Sequence, residues 1–490
     1  MTKCCAILLL LFLIVASAYK AGVIEYNPRT SDTARNTILK NLEEFRYYAD
    51  KARTQAVDIL VFPEYGLTTL VDPEDYALEI HDDEKVITEL STIATERQMY
   101  LVVNLLEKAK DDSNDTKYYN TNLVFARNGT IIAKYRKINL FNEPKLTPGD
   151  EDQRVTFQSD SGVTFGIFTG FDILFENPSR TVLHNSNVTV VVFPTAWNSS
   201  MPFFTSLSIQ HGYASANGVN LFAANYGKPK NAHGGSGIYS GDGTKMNVYI
   251  DGSPSSKLIV SNVAARRHRM EKTVCSTNVS SSSGVGSSKT KYALPGSLST
   301  TNITNYVTKK DFDAWKYTLQ SVPLDQGDFS TTVCHNQFCC TFNITVEKNH
   351  ISSRDNFKVM AFDGQNSYNV HICVCSLLAC EFDEAYSCGA RINTTTKFTK
   401  ITVNAHLQKE EGTFYMPLTL NYNLKPIMQT SYCDTNNGTN GTFVQLTTTA
   451  AQENILVFGL LGRSSARNLY AVFILVILGV ANCFIRGHYK

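Results

Sequence analysis

The stretch Ile59-Leu-Val-Phe-Pro-Glu64-Tyr-Gly66 carries four apolar residues into a proline, a carboxylate and a glycine. A short continuous apolar run bounded by turn residues predicts a strand buried on both faces, as in a parallel sheet. Upstream, residues 21–26 predict a strand. Asp32 then caps a helix whose Ile38, Leu39, Leu42 and Phe45 form one apolar stripe. Downstream, the pattern predicts a helix over 84–97 and a strand over 100–105. Strands over 122–126 and 131–135 flank Arg127-Asn128-Gly129, the Asn-Gly turn of a hairpin. Further strands are predicted at 164–169, 188–193 and 220–224, with a helix at 203–216 between the last two. This β-α-β alternation implies an α/β layered domain.

Composition narrows the function. The chain has 490 residues, 43% hydrophobic and 18% charged, which fits a globular protein and excludes a disordered one. Its 45 Lys+Arg against 44 Asp+Glu give a net charge of +1, so nucleic acid is not an expected partner. The basic cluster Arg266-Arg267-His268-Arg269 is too short to change that; a solvated loop or a processing site accounts for it.

Both ends point outside the cell. Lys3, the apolar run Ala6 to Val15 and Ala16-Ser17-Ala18 read as a signal peptide over residues 1–18, so the mature chain begins near Tyr19. At the other end, a hydrophobic tail is read over 456–490. Its most apolar part, Tyr470 to Ile485, has 16 residues, about 24 Å of helix against a hydrocarbon core of ~30 Å. That favours a GPI signal, with Ser464-Ser465-Ala466 as the small attachment site, over a short single-pass helix. Glycosylation sequons stand at Asn114, Asn128, Asn187, Asn198, Asn278, Asn302, Asn343, Asn393, Asn437 and Asn440. Ten along a signal-bearing chain indicate a glycosylated ectodomain at the outer face of the plasma membrane.

The cysteines divide the chain. Cys4 and Cys5 lie in the signal and Cys483 in the tail; the other nine fall between Cys275 and Cys433, and residues 19–274 hold none. Disulfides are expected there rather than zinc, because the spacings of Cys334, Cys339, Cys340, Cys373, Cys375, Cys380 and Cys388, with His335 and His371, match no zinc module. The odd number leaves one thiol over. Residues 275–304, rich in Ser, Thr and Gly, predict a linker or surface loop, and 305–455 a smaller β-rich domain.

Three stretches of the N-terminal half carry chemistry. Glu64 ends a buried strand, where a carboxyl group can act as a proton acceptor. Lys134-Tyr-Arg-Lys137-Ile-Asn-Leu-Phe141 sets a lysine just past a hairpin strand. Thr164-Phe-Gly-Ile-Phe-Thr-Gly170-Phe-Asp-Ile-Leu-Phe175 is a strand entering a tight turn. Taken singly, a capping carboxylate, a solvated lysine and a structural glycine explain them better. Together, and with Val192-Phe-Pro-Thr-Ala-Trp197, Leu221-Phe-Ala-Ala-Asn225 and Gly234-Gly-Ser-Gly-Ile-Tyr239, they resemble the nitrilase (carbon–nitrogen hydrolase) superfamily, in its vanin and biotinidase branch.

The resemblance implies an α-β-β-α sandwich over 19–274, followed by that branch's β-rich domain. It implies a Glu-Lys-Cys triad that cleaves a non-peptide amide, such as pantetheine, through an acyl thioester. Glu64 falls on the proton acceptor and Lys137 on the proton donor that supports the oxyanion. The nucleophile falls on Gly170, which has no side chain. A strand alternates its faces, so neighbouring Thr169 should point away from Glu64; Ser161 is the other nearby hydroxyl. Water activated by Glu64 is the remaining attacking group. The expectation is therefore an impaired amidase, or alternatively a pseudoenzyme binding a pantetheine- or biotin-like amide or a protein partner. No cofactor and no metal are implied.

Overall fold

A computed structural model describes residues 18–69, 72–80, 84–270, 273–275, 302–407, 413–436 and 441–463. The signal peptide up to residue 17, most of the 275–304 segment, Asn278, Asn437, Asn440, Cys4, Cys5, Cys483 and the apolar tail beyond 463 lie outside the described residues.

The N-terminal domain is built from two six-stranded mixed sheets packed face to face. In the first, β1 (Ala18–Glu25), β2 (Ile59–Val61) and β3 (Tyr100–Lys110) run parallel. β4 (Thr116–Phe125) and β5 (Ile131–Arg136) continue antiparallel, and strand Lys257–Ala264 closes the other edge. The second sheet holds β6 (Thr156–Gln158), β7 (Thr164–Ile167) and β8 (Val188–Pro194), then strands Asn220–Ala224, Ser236–Tyr239 and Met246–Tyr249.

Side-chain alternation explains the layering. Val23, Val61 and Val102 of the first sheet share one core with Ile167, Val190 and Leu221 of the second. Leu60, Phe62 and Leu101 point the other way, onto Ile38, Leu42 and Phe45 of helix α1 (Ala34–Thr54) and Val86, Leu90 and Ile93 of helix Glu84–Arg97. Helix Ser206–Asn217 covers the outer face of the second sheet, completing an α-β-β-α sandwich. One local expectation is corrected. The cap of α1 is Thr33, whose side chain accepts the Asn36 N–H at 3.1 Å. Asp32 sits one residue too early and instead accepts from the Asn36 side chain.

The C-terminal domain is a sandwich of two five-stranded antiparallel sheets. Four disulfides join Cys275–Cys433, Cys334–Cys339, Cys340–Cys375 and Cys380–Cys388. The expected boundary at 455 moves outward: Ile455–Arg463 is an interior strand, paired on one side with His371–Cys380 and on the other with Phe414–Asn421. Its continuous apolar run reflects burial on both faces, the same composition that a membrane tail shows. The expected loop is anchored at both ends, by the Cys275 disulfide and by buried Tyr306, whose hydroxyl donates to the Ala232 carbonyl at 2.9 Å. In the basic cluster, Arg266, Arg267 and His268 are exposed, while Arg269 donates to the Leu183 carbonyl.

Asn114, Asn128, Asn187, Asn302, Asn343 and Asn393 are exposed. Asn198 differs. Its amide nitrogen donates to the Asn231 carbonyl at 3.0 Å and its amide oxygen is buried, so the atom a glycan would take is already engaged.

Candidate active site

Glu64 stands three residues past β2, held by its neighbour. Tyr65 adopts φ +54°, its N–H donates to Asn104 Oδ1 at 2.7 Å, and its carbonyl accepts from the Tyr226 hydroxyl at 2.8 Å. The carboxylate, 3% exposed, accepts three hydrogen bonds. Oε1 takes Lys137 Nζ and Asn120 Nδ2, each at 2.8 Å; Oε2 takes the Ala196 N–H at 2.8 Å.

Lys137 leaves β5 with both backbone groups bonded: its N–H donates to the Asn120 carbonyl and its carbonyl accepts from Gly149. Its ammonium, 4% exposed, donates also to Glu143 Oε2 at 2.8 Å. Glu143 is fixed in turn by the Phe141 N–H at 2.8 Å, Asn120 Nδ2 at 3.0 Å and the Tyr65 hydroxyl. Burial alone would lower the Lys137 pKa, but the two facing carboxylates outweigh it and hold the group above its ordinary value. Burial likewise favours neutral Glu143, and Lys137 outweighs it, so this carboxyl lies below its ordinary range. The site is a buried carboxylate–ammonium–carboxylate cluster with a net negative charge. The Lys137 ammonium stands between the two carboxylates, 2.8 Å from an oxygen of each.

Gly170 opens the turn after β7 at φ +51°, in the left-handed region that glycine enters freely. Asp172 pins this turn. Its Oδ2 accepts from the Tyr135 hydroxyl at 2.6 Å and the Thr169 N–H at 3.2 Å, and its Oδ1 accepts twice from Asn139 at 2.8 Å. Complete burial pushes the Asp172 pKa up to about 6, against these hydrogen bonds and the Lys137 charge. A Cβ at position 170 would lie 2.5 Å from Glu64 Oε2 and 3.0 Å from Glu64 Cδ and Oε1. The three expected residues therefore converge, and the Glu64 carboxylate fills the space that a side chain at 170 would need. The Thr169 hydroxyl accepts from Asn122 Nδ2, two residues along β4 from the Asn120 that bonds Glu64. Ser161 sits on an exposed turn against Ser159.

Sequence reasoning missed Glu143, Asn120 and the Ala196 N–H. Asn120 and Asn122 alternate on β4, and Asn104 on β3 donates to both at 2.6 and 2.8 Å. Two asparagines at strand spacing were a readable signal of a buried polar face. Glu143 lies on a loop, where no periodicity marks it. The missed rim is aromatic: Phe141 packs on Phe171 at 4.6 Å between ring centroids and on Tyr368 of the C-terminal domain at 5.5 Å. The Tyr368 hydroxyl lies 2.6 Å from Ser200 Oγ, tying the two domains beside the site.

Known proteins resemble both halves. The carbon–nitrogen hydrolase family matches residues 20–250, and the Vanin C-terminal domain family matches residues 306–468. Vanin-like protein 1 of Drosophila melanogaster is 29% identical, over 91% of this chain and 85% of its own. Pantetheinase of Bos taurus is 27% identical over 78% of each chain. Biotinidase of Bos taurus is 34% identical over 51% of this chain and 54% of its own.

Proposed function

We propose, for a chain that belongs to the vanin and biotinidase branch of the carbon–nitrogen hydrolase (nitrilase) superfamily, a cell-surface protein that recognises a pantetheine- or biotin-like amide and is impaired in hydrolysing it. One observation carries this reading. Glu64 Oε2 occupies the space into which a nucleophile's Cβ would project from position 170. In this reading Glu64 is the family's proton acceptor, Lys137 the oxyanion donor and Gly170 the vacated nucleophile position. Two of the three Lys137 N–H donors go to Glu64 and Glu143, leaving one to polarise an amide carbonyl. A thioester needs a sulfur that this turn does not offer. Losing a covalent nucleophile costs about 10⁶ in turnover in subtilisin, so water activated by Glu64 is a poor substitute.

The address is part of the proposal. The signal-like N-terminus, the exposed sequons and the apolar C-terminal tail support a glycosylated, GPI-anchored ectodomain. Among the described residues, no helix is long and apolar enough to cross a membrane.

The test is amine release from a pantetheine-type amide, with intact-protein mass spectrometry and calorimetric binding of the same amide. Background release, no acyl adduct and saturable binding are expected. Steady multiple turnover would overturn the impairment. Absence of binding would overturn the recognition.

A further inference from the structure

A second cluster of chemically capable side chains lies on the β-rich domain. Strands Asn356–Gln365 and His371–Cys380 pair antiparallel, with Asp363 directly opposite Cys373. Side chains alternate along a strand, so His371, Cys373 and Cys375 share one face, and Asp363 joins them from across the pair. Cys375 reaches Cys340 of the facing sheet, whereas Cys373 takes no part in the four disulfides. Its Sγ lies 3.2 Å from Asp363 Oδ1, and His371 Nε2 lies 3.4 Å from the same oxygen. One ligand atom from each residue falls within 4.8 Å of the other two.

Two of these separations suit one ion, and the third, thiol to imidazole, is within 4.8 Å. Zinc bonds of about 2.0–2.3 Å at tetrahedral angles set neighbouring ligand atoms about 3.3–3.7 Å apart. The thiol–carboxylate and imidazole–carboxylate distances need to change by only a few tenths of an ångström. A sulfur, an imidazole nitrogen and one carboxylate select zinc and later transition metals over calcium or magnesium, which prefer all-oxygen sites.

We infer that Asp363, His371 and Cys373 form a three-ligand site for Zn²⁺ or a chemically similar divalent ion, with the fourth position open to water. Binding replaces the Cys373 S–H bond with a metal–sulfur bond, and the proton leaves to solvent. The site is invisible as a spacing motif because strand pairing, not chain proximity, brings Asp363 to the other two. It departs from the sequence expectation that no residue here ligates a metal.

The experiment uses full-length, tag-free protein stripped of metal and titrated with Co²⁺, then Zn²⁺. One equivalent of Co²⁺ with a thiolate-to-cobalt charge-transfer band, displaced by Zn²⁺, is expected. Cys373→Ser should abolish the band. Cys373→Ser and His371→Ala should each weaken Zn²⁺ binding at least about tenfold, since even outer-shell changes cost 10–100-fold. Circular dichroism and a disulfide map confirm that each variant is folded. Absence of stoichiometric binding, or unchanged binding in both folded variants, overturns the site. A peptide map of the native protein showing Cys373 bridged to another cysteine overturns it as well.

Discussion

Position 170 shows how much one missing Cβ decides. Glycine relieves both a left-handed turn and a contact with a carboxylate held by three hydrogen bonds. Gly170→Cys must therefore strain the backbone, about 1–2 kcal/mol, and displace Glu64 from charge-assisted bonds. We expect a loss of about 2–4 kcal/mol by urea unfolding, together with a weak acyl adduct on amide substrates, since a misplacement near 1 Å costs about 10²-fold in rate. A variant as stable as wild type would mean that the turn and Glu64 relax freely. Asp172 gives the pH test. Its folded pKa, about 6, lies above the usual carboxylate value of 3.8, so its contribution is fully present below about pH 4 and lost as pH rises through 6. Relative to Asp172→Asn, wild type should lose on the order of 2–3 kcal/mol across that window. Parallel stability–pH curves for the two proteins would refute the assignment. Glu64, Lys137 and Gly170 were legible because each sits in a local motif at a strand end. Glu143 and Asn120 were not, because only folding brings a loop carboxylate and a mid-strand amide to the same ammonium.

Helix Ser206–Asn217 was legible as a helix but not as a domain junction. Eleven of its twelve residues are buried, which leaves it no solvated face. The second sheet covers one side, and strand Phe414–Asn421 of the C-terminal domain covers another. At the contact, a Cβ on Gly212 would lie 2.4 Å from the Pro417 carbonyl oxygen. Helix propensity alone predicts that Gly212→Ala stabilises the helix by about 1 kcal/mol. The obstacle is backbone, which cannot rotate away as a side chain would, and overpacking costs about 1–3 kcal/mol. Sterics should win: the thermal midpoint of the full-length variant falls despite the better helix former, and a rise would show that the domains are not pressed together here. Strand Ile455–Arg463 failed for a related reason. An apolar run carries no label for what buries it, so the residues that fill the middle of a sheet read as the start of a membrane tail.

Whether reduction would spare the thiol-free half is a question for the whole molecule. All eight bridged cysteines lie between Cys275 and Cys433, so the N-terminal sandwich owes no covalent constraint to them within its own residues. Cysteine placement alone therefore predicts that reductant loosens 302–463 and leaves 18–270 unchanged. The domain junction alters the second half of that expectation. Cys275–Cys433 closes the longest loop, spanning 158 residues, and fastens the end of the N-terminal domain to a strand of the C-terminal one. A crosslink over so long a loop contributes several kcal/mol, roughly 4–5 on the chain-entropy account, with the mechanism model-dependent. Once it opens and the C-terminal sandwich loosens, helix Ser206–Asn217 loses the cover that strand Phe414–Asn421 provides. Limited proteolysis in reductant should first cut within 302–463 and next at the ends of helix 206–217, while β1 to β5 stay intact. The variant Cys433→Ser, with the other bridges kept, should expose that same helix without prior cutting in the C-terminal domain. If β1 to β5 are the first segments lost, or if the helix stays protected after the C-terminal domain has gone, the two domains do not depend on each other in this way.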